Sequence, residues 1–267
     1  MVLPAPGAQL FFQVEIEVGG LGKGLSKALV GGLLEQVVQQ GAGRGAAREG
    51  VDAVRPWRSY ATLHLWRSDT GAEVVFQAPA LRWPAITWAD GWIWIAVAVR
   101  MTQHHIALVG LGPDGRMVRR ALDPSDHLRA RPTIAALDHR VAVAWEAHAR
   151  GCIQLRGSLG REVVTLVDDG GFAQAPALRP RTDGGLWFAW QTDRPMAAAP
   201  TLARWVQVAR LSADLGTCTS LGTLPGMTLT ANGEDQSLEF PALCESADGA
   251  LWVIARASHN FRAQRWT

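Results

Sequence analysis

The segment Pro176-Ala-Leu-Arg-Pro-Arg-Thr-Asp183-Gly-Gly-Leu-Trp187-Phe-Ala-Trp190 contains the pattern that decides the fold. Proline suits the first residue of a strand, where the sheet needs no backbone donor. Asp-Gly is the strongest short signal for a hairpin turn, because both residues tolerate a positive φ. The nearly continuous apolar run after the turn is typical of a strand buried on both faces. The segment therefore predicts two antiparallel strands joined by a tight turn.

The same pattern begins at Pro84, Pro132 and Pro241, and only the copy at Pro132 lacks the Asp-Gly turn. The four aligned prolines lie 48, 44 and 65 residues apart, which matches four strands per unit with an insertion in the third unit. That insertion is predicted near Met196–Leu202 or Met227–Ser237. The repeat thus predicts an all-β fold, a β-propeller of four-stranded blades. Second hairpins supply its outer strands, at Met117–Asp123, Glu162–Val167 and Cys218–Leu224.

The two ends of the repeat region look complementary. Residues 60–78 resemble the second half of a unit, whereas the strands beginning at Pro241 and Leu251 form a first half. Pairing them would make one composite blade and remove exposed sheet edges. This closure predicts four blades, or five if an N-terminal piece completes another sheet. In the five-blade alternative, Asn260–Thr267 is the third strand of its sheet.

Residues 1–57 differ in character from the repeat. Gln13–Val18 alternates polar and apolar residues like a strand, and Leu25–Gln39 places its leucines and valines on one face of a helix. We therefore predict an N-terminal strand and amphipathic helix over 1–57 and a propeller domain over 58–267. The helix either packs on the propeller or binds a partner, which includes a second copy of the chain.

Charge and composition limit the partners and the compartment. The formal charge of +2 comes from 26 basic and 24 acidic residues without a dense basic run, which predicts no nucleic-acid binding. No segment has the length of a membrane span, and Met1 is not followed by a signal peptide. We expect a cytoplasmic protein without a membrane anchor, or a secreted one if Met1 is not the true start. Three distant cysteines fit neither a disulfide framework nor a zinc site, and are predicted to be buried free thiols: Cys152, Cys218 and Cys244.

Twelve tryptophans against one tyrosine are the unusual feature of the composition. In a propeller, tryptophan mostly fills the space between blades. Five tryptophans in the predicted second strands are therefore expected in the core: Trp94, Trp145, Trp187, Trp190 and Trp252. Trp88 and Trp92 instead flank a turn, which makes them the candidate ligand-binding residues.

Other polar pairs have ordinary explanations. His104-His105 precedes a strand, where neighbouring side chains point to opposite faces, so a solvated loop pair is favoured over a metal site. Asp168-Asp169 adjoins Gly170-Gly171 and predicts a turn rather than a cation site or an acid/base pair. No metalloprotease, P-loop, nucleophile-elbow or dinucleotide motif is present. The sequence predicts no metal and no cofactor, and it identifies no catalytic residue.

The repeat resembles a known group of propellers. Ser246-Ala-Asp248-Gly-Ala-Leu-Trp252 approaches the Asp-box pattern Ser-x-Asp-x-Gly-x-Thr-Trp, with one residue fewer between aspartate and tryptophan. Over about residues 59–267 the chain resembles bacterial sialidase-like propellers of the BNR or Asp-box type, which include glycosidases, lectins and scaffolding modules. A sialidase would also need an arginine cluster, an acid/base aspartate and a tyrosine nucleophile. Tyr60 is the only tyrosine and has no motif around it.

These observations favour a non-catalytic propeller that binds or scaffolds, presenting its loops to a protein or carbohydrate ligand. The alternative is a sialidase-like glycoside hydrolase that acts on glycans. A third class is a purely structural role in which the helix over 25–39 docks a partner. The side chains at the centre of the propeller separate these classes, because clustered arginines there favour an enzyme and apolar packing favours a scaffold.

Overall fold

The computed structural model describes residues 11–17, 60–67, 71–78, 80–195, 202–224, 238–257 and 260–266. Within these ranges the chain forms strands joined by turns and contains no helix, which confirms the all-β prediction. The helix predicted over 25–39 and the domain boundary predicted at 57/58 lie outside the described residues, as does most of both insertion segments. In the described part of the chain, no helix is long and apolar enough to span a membrane.

The chain divides into two compact units, Met1–Leu81 and Arg82–Thr267. The first unit contains one antiparallel sheet in the order β1-β2-β3. Its strands are β1 (Phe11–Glu17), β2 (Tyr60–Arg67) and β3 (Gly71–Ala78). Strand β1 confirms the strand predicted at Gln13–Val18.

The second unit repeats a four-stranded antiparallel sheet three times and ends in a three-stranded sheet. A single parallel bridge, from Ile153 to Phe172, joins the second sheet to the third. The first sheet is β4 (Leu81–Ala89), β5 (Trp92–Val99), β6 (His104–Leu111) and β7 (Met117–Ser125); the second is β8 (Arg129–Leu137), β9 (Arg140–Ala149), β10 (Cys152–Leu159) and β11 (Glu162–Val167). The third is β12 (Phe172–Pro180), β13 (Leu186–Pro195), β14 (Leu202–Leu211) and β15 (Cys218–Thr223); the fourth is β16 (Leu238–Glu245), β17 (Leu251–Ala257) and β18 (Asn260–Trp266).

Each predicted strand–turn–strand unit forms the first hairpin of one of these sheets. In the first sheet, Asp90 and Gly91 have φ values of 51° and 77°, as expected of a turn whose twist matches that of the strands. Asp138 keeps this conformation, with φ 51°, although His139 replaces the glycine. At Asp183-Gly184 and Asp248-Gly249 only the glycine has a positive φ, so the hairpin repeats in structure but the turn conformation does not.

The core of the second unit lies between neighbouring sheets. Each sheet faces the next through a cluster of buried aliphatic and aromatic side chains, so most second strands are covered on both faces. Trp145 lies between the first and second sheets and Phe188 between the second and third, and both are fully buried. Trp187 lies between the third and fourth sheets. Burial on both faces explains the continuous apolar runs in the sequence.

Burial confirms three of the five predicted core tryptophans, Trp145, Trp187 and Trp190. Trp94 is half-buried, and Trp252 is 40% exposed, so its assignment to the core is wrong. Strand β17 packs Leu251, Val253 and Ala255 against the third sheet, which turns Trp252 to the opposite face because side chains alternate along a strand.

The composite blade predicted from residues 60–78 and the strands at Pro241 and Leu251 does not form. Strand β2 pairs with β1 and β3, whereas β17 pairs with β16 and β18, giving two separate three-stranded sheets. Strand β18 begins three residues after β17 ends, so this pairing closes only a short loop and has a small entropic cost. Residues 260–266 thus take the position given to them in the five-blade alternative.

The residue before each aligned proline has a left-handed backbone. The φ values are 52° at Trp83, 42° at Arg131, 46° at Ala175 and 52° at Phe240. A register shift accompanies three of these positions, so the first strand bulges where it meets the second. A left-handed non-glycine residue costs about 1–2 kcal/mol. We call the end of the sheets at which these residues lie the bulged end. The Asp-Gly turns lie at the opposite end.

The left-handed backbone at Ala175 can be tested by substitution. We expect Ala175→Gly to change the free energy of unfolding by less than about 0.5 kcal/mol, because relief of the left-handed strain offsets the greater freedom of glycine in the unfolded chain. Ala173→Gly is the matched control in the same strand, since Ala173 is fully buried without a positive φ. It should cost about 1 kcal/mol or more. Urea denaturation measures the free energy of unfolding of both variants. Equal losses of stability would contradict a strained backbone at Ala175.

Candidate functional site

Polar side chains accumulate at the bulged end, where the start of each first strand pairs with the end of the second. Gln174 lies opposite Gln191 in the third sheet, and Glu239 lies opposite Arg256 in the fourth. At the equivalent place in the second sheet, Glu146 lies opposite Ala130. These pairs place polar side chains side by side at this end of three neighbouring sheets.

Three residues that precede aligned prolines meet at the bulged end. The guanidinium carbon of Arg131 lies 5.8 Å from the ring centroid of Trp83 and 5.2 Å from that of Phe240. These residues come from the first, second and fourth sheets, and all three are partly exposed. Distances of this size allow cation–π attraction. We call Trp83, Arg131 and Phe240 the pre-proline cluster.

Glu146 holds the arginine of this cluster in place. Its side chain is 3% exposed and accepts hydrogen bonds from the Ala175 backbone N–H at 2.7 Å and from Arg131 Nη1 at 3.1 Å. His148 Nε2 lies 3.3 Å from the other carboxylate oxygen. Glu146 therefore ties the second sheet to the bulge of the third while it orients Arg131.

A second group of charges surrounds Glu239 at the same end. Its carboxylate is hydrogen-bonded to Arg204 and Arg256, and the Arg256 guanidinium lies 4.7 Å from the Phe240 ring. Arg204 Nε also lies 3.6 Å from Asp193 Oδ1, so one guanidinium joins two carboxylates. Arg131, Arg204 and Arg256 thus form an arginine cluster, and each of them already contacts a carboxylate of the protein.

The two carboxyl groups beside Arg204 have opposite pKa shifts. Burial raises the pKa of Asp193, and the charge of Arg204 and a hydrogen bond from Gln191 oppose this only in part. Burial also acts against the charged form of Glu239, but hydrogen bonds and charge from Arg256 and Arg204 outweigh it and lower the pKa of Glu239. An acid with a raised pKa beside an ionised carboxylate is the arrangement that glycosidases use.

The lowered pKa of Glu239 makes the protein sensitive to acid. Its stabilising contribution is complete above the unfolded pKa, near 4.5, and is lost as the pH falls through the lower folded pKa. We expect Glu239→Gln to be less stable than the parent near neutral pH but to lose less stability between about pH 5 and pH 3. Urea midpoints across this range measure the difference. Glu162→Gln, at an exposed position, is the control and should follow the parent.

A third acidic group, at Asp123, serves the packing of the sheets. Its carboxylate contacts Arg129 and Arg156 at 2.6 Å each and accepts a hydrogen bond from Trp145 Nε1 at 3.2 Å. The side chains of Asp123 and Arg129 are 10% and 7% exposed, so this pair offers little surface to a ligand. We interpret it as a polar clasp between the first two sheets.

Both ligand-binding residues predicted from the sequence lie at the turn end of the first sheet. Trp88 is 52% exposed, whereas Trp92 is half-buried, with its ring centroid 5.7 Å from that of Trp94 and 4.9 Å from the Arg116 guanidinium carbon. Trp88 thus has the freer ring. That either residue binds a ligand stays a prediction.

The other predicted pairs are ordinary elements of the fold. His104 and His105 begin β6 instead of forming a solvated loop, and burial lowers the pKa of both. Asp168-Asp169 lies in the turn after β11, where Asp169 accepts a hydrogen bond from the Gly171 N–H at 3.0 Å. The thiols are free, but Cys218 and Cys244 are exposed, so their predicted burial is wrong. Among the described residues, no three histidine, cysteine, aspartate or glutamate side chains are grouped as metal ligands would be.

The pre-proline cluster was not predicted from the sequence. Its signal was present, since Trp83, Arg131 and Phe240 each precede an aligned proline. A residue before proline normally avoids helical conformations, and nothing in the sequence indicated a left-handed one. The convergence of the three residues also depends on how the sheets stack, which a repeat alone does not specify.

The fold belongs to the β-propeller class, in which sheets of this kind stack face to face. No family model matches the sequence, and no curated protein matches it. The structure is similar to α-L-arabinanase from Penicillium chrysogenum complexed with arabinobiose (TM-score 0.52, 10% identity, 77% of this chain and 74% of that one). It is also similar to Trypanosoma rangeli sialidase (TM-score 0.51, 14% identity, 74% of this chain and 38% of that one).

These similarities confirm at the level of the fold the resemblance to sialidase-like propellers. An endo-arabinase from Bacteroides thetaiotaomicron matches over 78% of this chain and 88% of its own, with 12% identity and a TM-score of 0.48. At such identities the likeness concerns the fold, and function has to be argued from the site.

Proposed function

We propose that this propeller is a non-catalytic module that binds a carbohydrate at the bulged end, through the pre-proline cluster. The observation that carries the proposal is the position of Arg131 between two partly exposed aromatic rings, those of Trp83 and Phe240. A sugar can pack against the part of each ring that its guanidinium neighbours leave exposed, and fixed guanidinium groups hydrogen-bond to hydroxyls. Binding sites typically combine such apolar surfaces with a few fixed polar groups.

The pairing of the charges supports binding over catalysis. Glu146 forms an ion pair with Arg131, and Glu239 forms ion pairs with Arg204 and Arg256. The charges of these arginines are therefore balanced within the protein and do not require a substrate carboxylate. Glu146 is too deeply buried to reach a sugar.

A glycan array followed by calorimetry tests the proposal. We expect the parent protein to retain at least one oligosaccharide and Phe240→Ala to weaken its binding by about ten-fold, as the loss of one aromatic contact implies. Trp88→Ala separates this site from the one predicted from the sequence: that ring lies at the turn end, so binding at the pre-proline cluster should keep its affinity in this variant. An array without any retained glycan, or binding lost with Trp88→Ala and kept with Phe240→Ala, would refute the proposal. Thermal melting confirms that both variants are folded.

A glycoside hydrolase is the second candidate, and the opposite pKa shifts of Asp193 and Glu239 favour it specifically. In that case Asp193 would act as the general acid and Glu239 as the ionised partner. The similar structures include proteins named as arabinanase and sialidase, which suggests arabinofuranosides and sialosides as first substrates. Turnover of their aryl glycosides that disappears in both Asp193→Asn and Glu239→Gln would establish this function, whereas no turnover by the parent would exclude it for these substrates.

A further inference from the structure

A basic cleft lies outside the bulged end, where the edge of the first sheet meets the second. Residues 118–122 of β7 form one wall, and Gly160 and Arg161, in the turn between β10 and β11, form the other. The cleft has a volume of about 560 Å³ and is open to solvent. Its lining contains Arg119, Arg120 and Arg161 and no carboxylate. Such a cleft favours an anionic occupant.

Strand β7 is the last strand of its sheet and hydrogen-bonds to β6 alone among the described strands. Its outer edge therefore carries unpaired backbone N–H and C=O groups, which can pair with an added extended chain. The outermost strands of the next two sheets differ, since β11 and β15 contain no arginine or lysine. Among the three four-stranded sheets, only the first therefore has arginines on its outermost strand.

Two of the three arginines have side chains available for a partner. Arg120 and Arg161 are exposed and make no ion pair with another described residue. Side chains alternate along a strand, so every second side chain of an added strand would lie on the same face of the sheet as Arg120. Like charges on this edge also repel the same edge of a second copy, which disfavours self-association there.

We propose that the β7 edge binds an extended acidic segment of a partner protein, which adds as a fifth strand to the first sheet. Backbone hydrogen bonds along β7 supply part of the affinity. Acidic side chains of the segment pair with Arg120 and Arg161 and set its specificity. This surface is independent of the pre-proline cluster, so either proposal can fail without the other.

Fluorescence anisotropy with a labelled ten-residue peptide of alternating glutamate and threonine tests this inference. We expect saturable binding that weakens as salt is raised and that falls about ten-fold or more in the double variant Arg120→Glu/Arg161→Glu. Arg150→Glu, at an exposed turn between β9 and β10, is the charge control and should bind like the parent.

A second peptide separates strand addition from simple charge attraction. Replacing every other threonine by proline keeps all the glutamates but removes backbone donors, so we expect much weaker binding. Equal binding of both peptides would overturn strand addition. Tighter binding of a heparin fragment than of the peptide, or an unchanged affinity in the double variant, would overturn the proposal as well.

Discussion

Replacing Glu146 by alanine is expected to lower the free energy of unfolding by about 3–5 kcal/mol, which is typical for removal of one partner from a buried ion pair. The change leaves the Ala175 N–H without its 2.7 Å acceptor and Arg131 without its carboxylate, in a place where Glu146 is 2% exposed. An unpaired buried donor alone costs about 1–3 kcal/mol. Urea denaturation followed by tryptophan fluorescence measures the loss.

Two further variants assign this loss to its causes. Glu146→Gln keeps an oxygen that accepts the hydrogen bond from the Ala175 N–H, so it should lower the free energy of unfolding less than Glu146→Ala does. The loss that it still causes measures the missing charge opposite Arg131. Glu162→Ala, at the exposed start of β11, should change stability by no more than about 0.5 kcal/mol. A loss below about 1 kcal/mol for Glu146→Ala would show that this carboxylate does not hold the second and third sheets together.

Trp145→Ala is expected to cost about 3–5 kcal/mol, the usual range for an aromatic residue truncated in a core. Trp145 is fully buried between the first and second sheets, and its Nε1–H donates to Asp123 at 3.2 Å. The variant removes packing from both sheets and one donor from the polar clasp that Asp123 forms with Arg129 and Arg156. Chemical denaturation measures the change in the free energy of unfolding.

Trp88→Ala is the matched comparison, because it makes the same substitution at a side chain that is 52% exposed. It should lower stability by at most about 0.5–1 kcal/mol. Similar losses of unfolding free energy in Trp145→Ala and Trp88→Ala would contradict the burial of Trp145 between two sheets. Trp145→Phe should lie between them, since it keeps most of the volume and loses the indole donor.

Local sequence predicted the hairpins well, because their causes are local. Asp-Gly at a turn acts over a few residues, and Asp90-Gly91 adopts the predicted left-handed turn. Asp138 adopts it too, although the next residue is histidine. The aligned prolines were expected at strand starts, but each lies three or four residues after its strand begins. The number of strands per sheet also followed from the spacing of the prolines.

The sequence was less informative about which face of a strand is buried and which sheets share an edge. A continuous apolar run such as Leu251–Ile254 does not show which side will be covered, so Trp252 was assigned to the core although its face is exposed. The composite blade failed because β18 offers β17 a nearer partner than residues 60–78 do.

The bulged end required the three-dimensional structure altogether. Trp83 and Phe240 are separated by most of the second unit in sequence, yet both lie within 6 Å of the Arg131 guanidinium. The arginine cluster was the sign expected of an enzyme, but its internal carboxylates change that interpretation. We therefore propose a fixed recognition surface, with hydrolysis by Asp193 and Glu239 as the competing function.

A crystal structure of the protein with an oligosaccharide selected from the array is the most direct test of the central claim. We expect an intact sugar chain at the bulged end, with at least one sugar ring against Trp83 or Phe240 and sugar hydroxyls within hydrogen-bond distance of Arg131. A sugar bound instead against Trp88 at the turn end, or one cleaved beside Asp193 and Glu239, would contradict it.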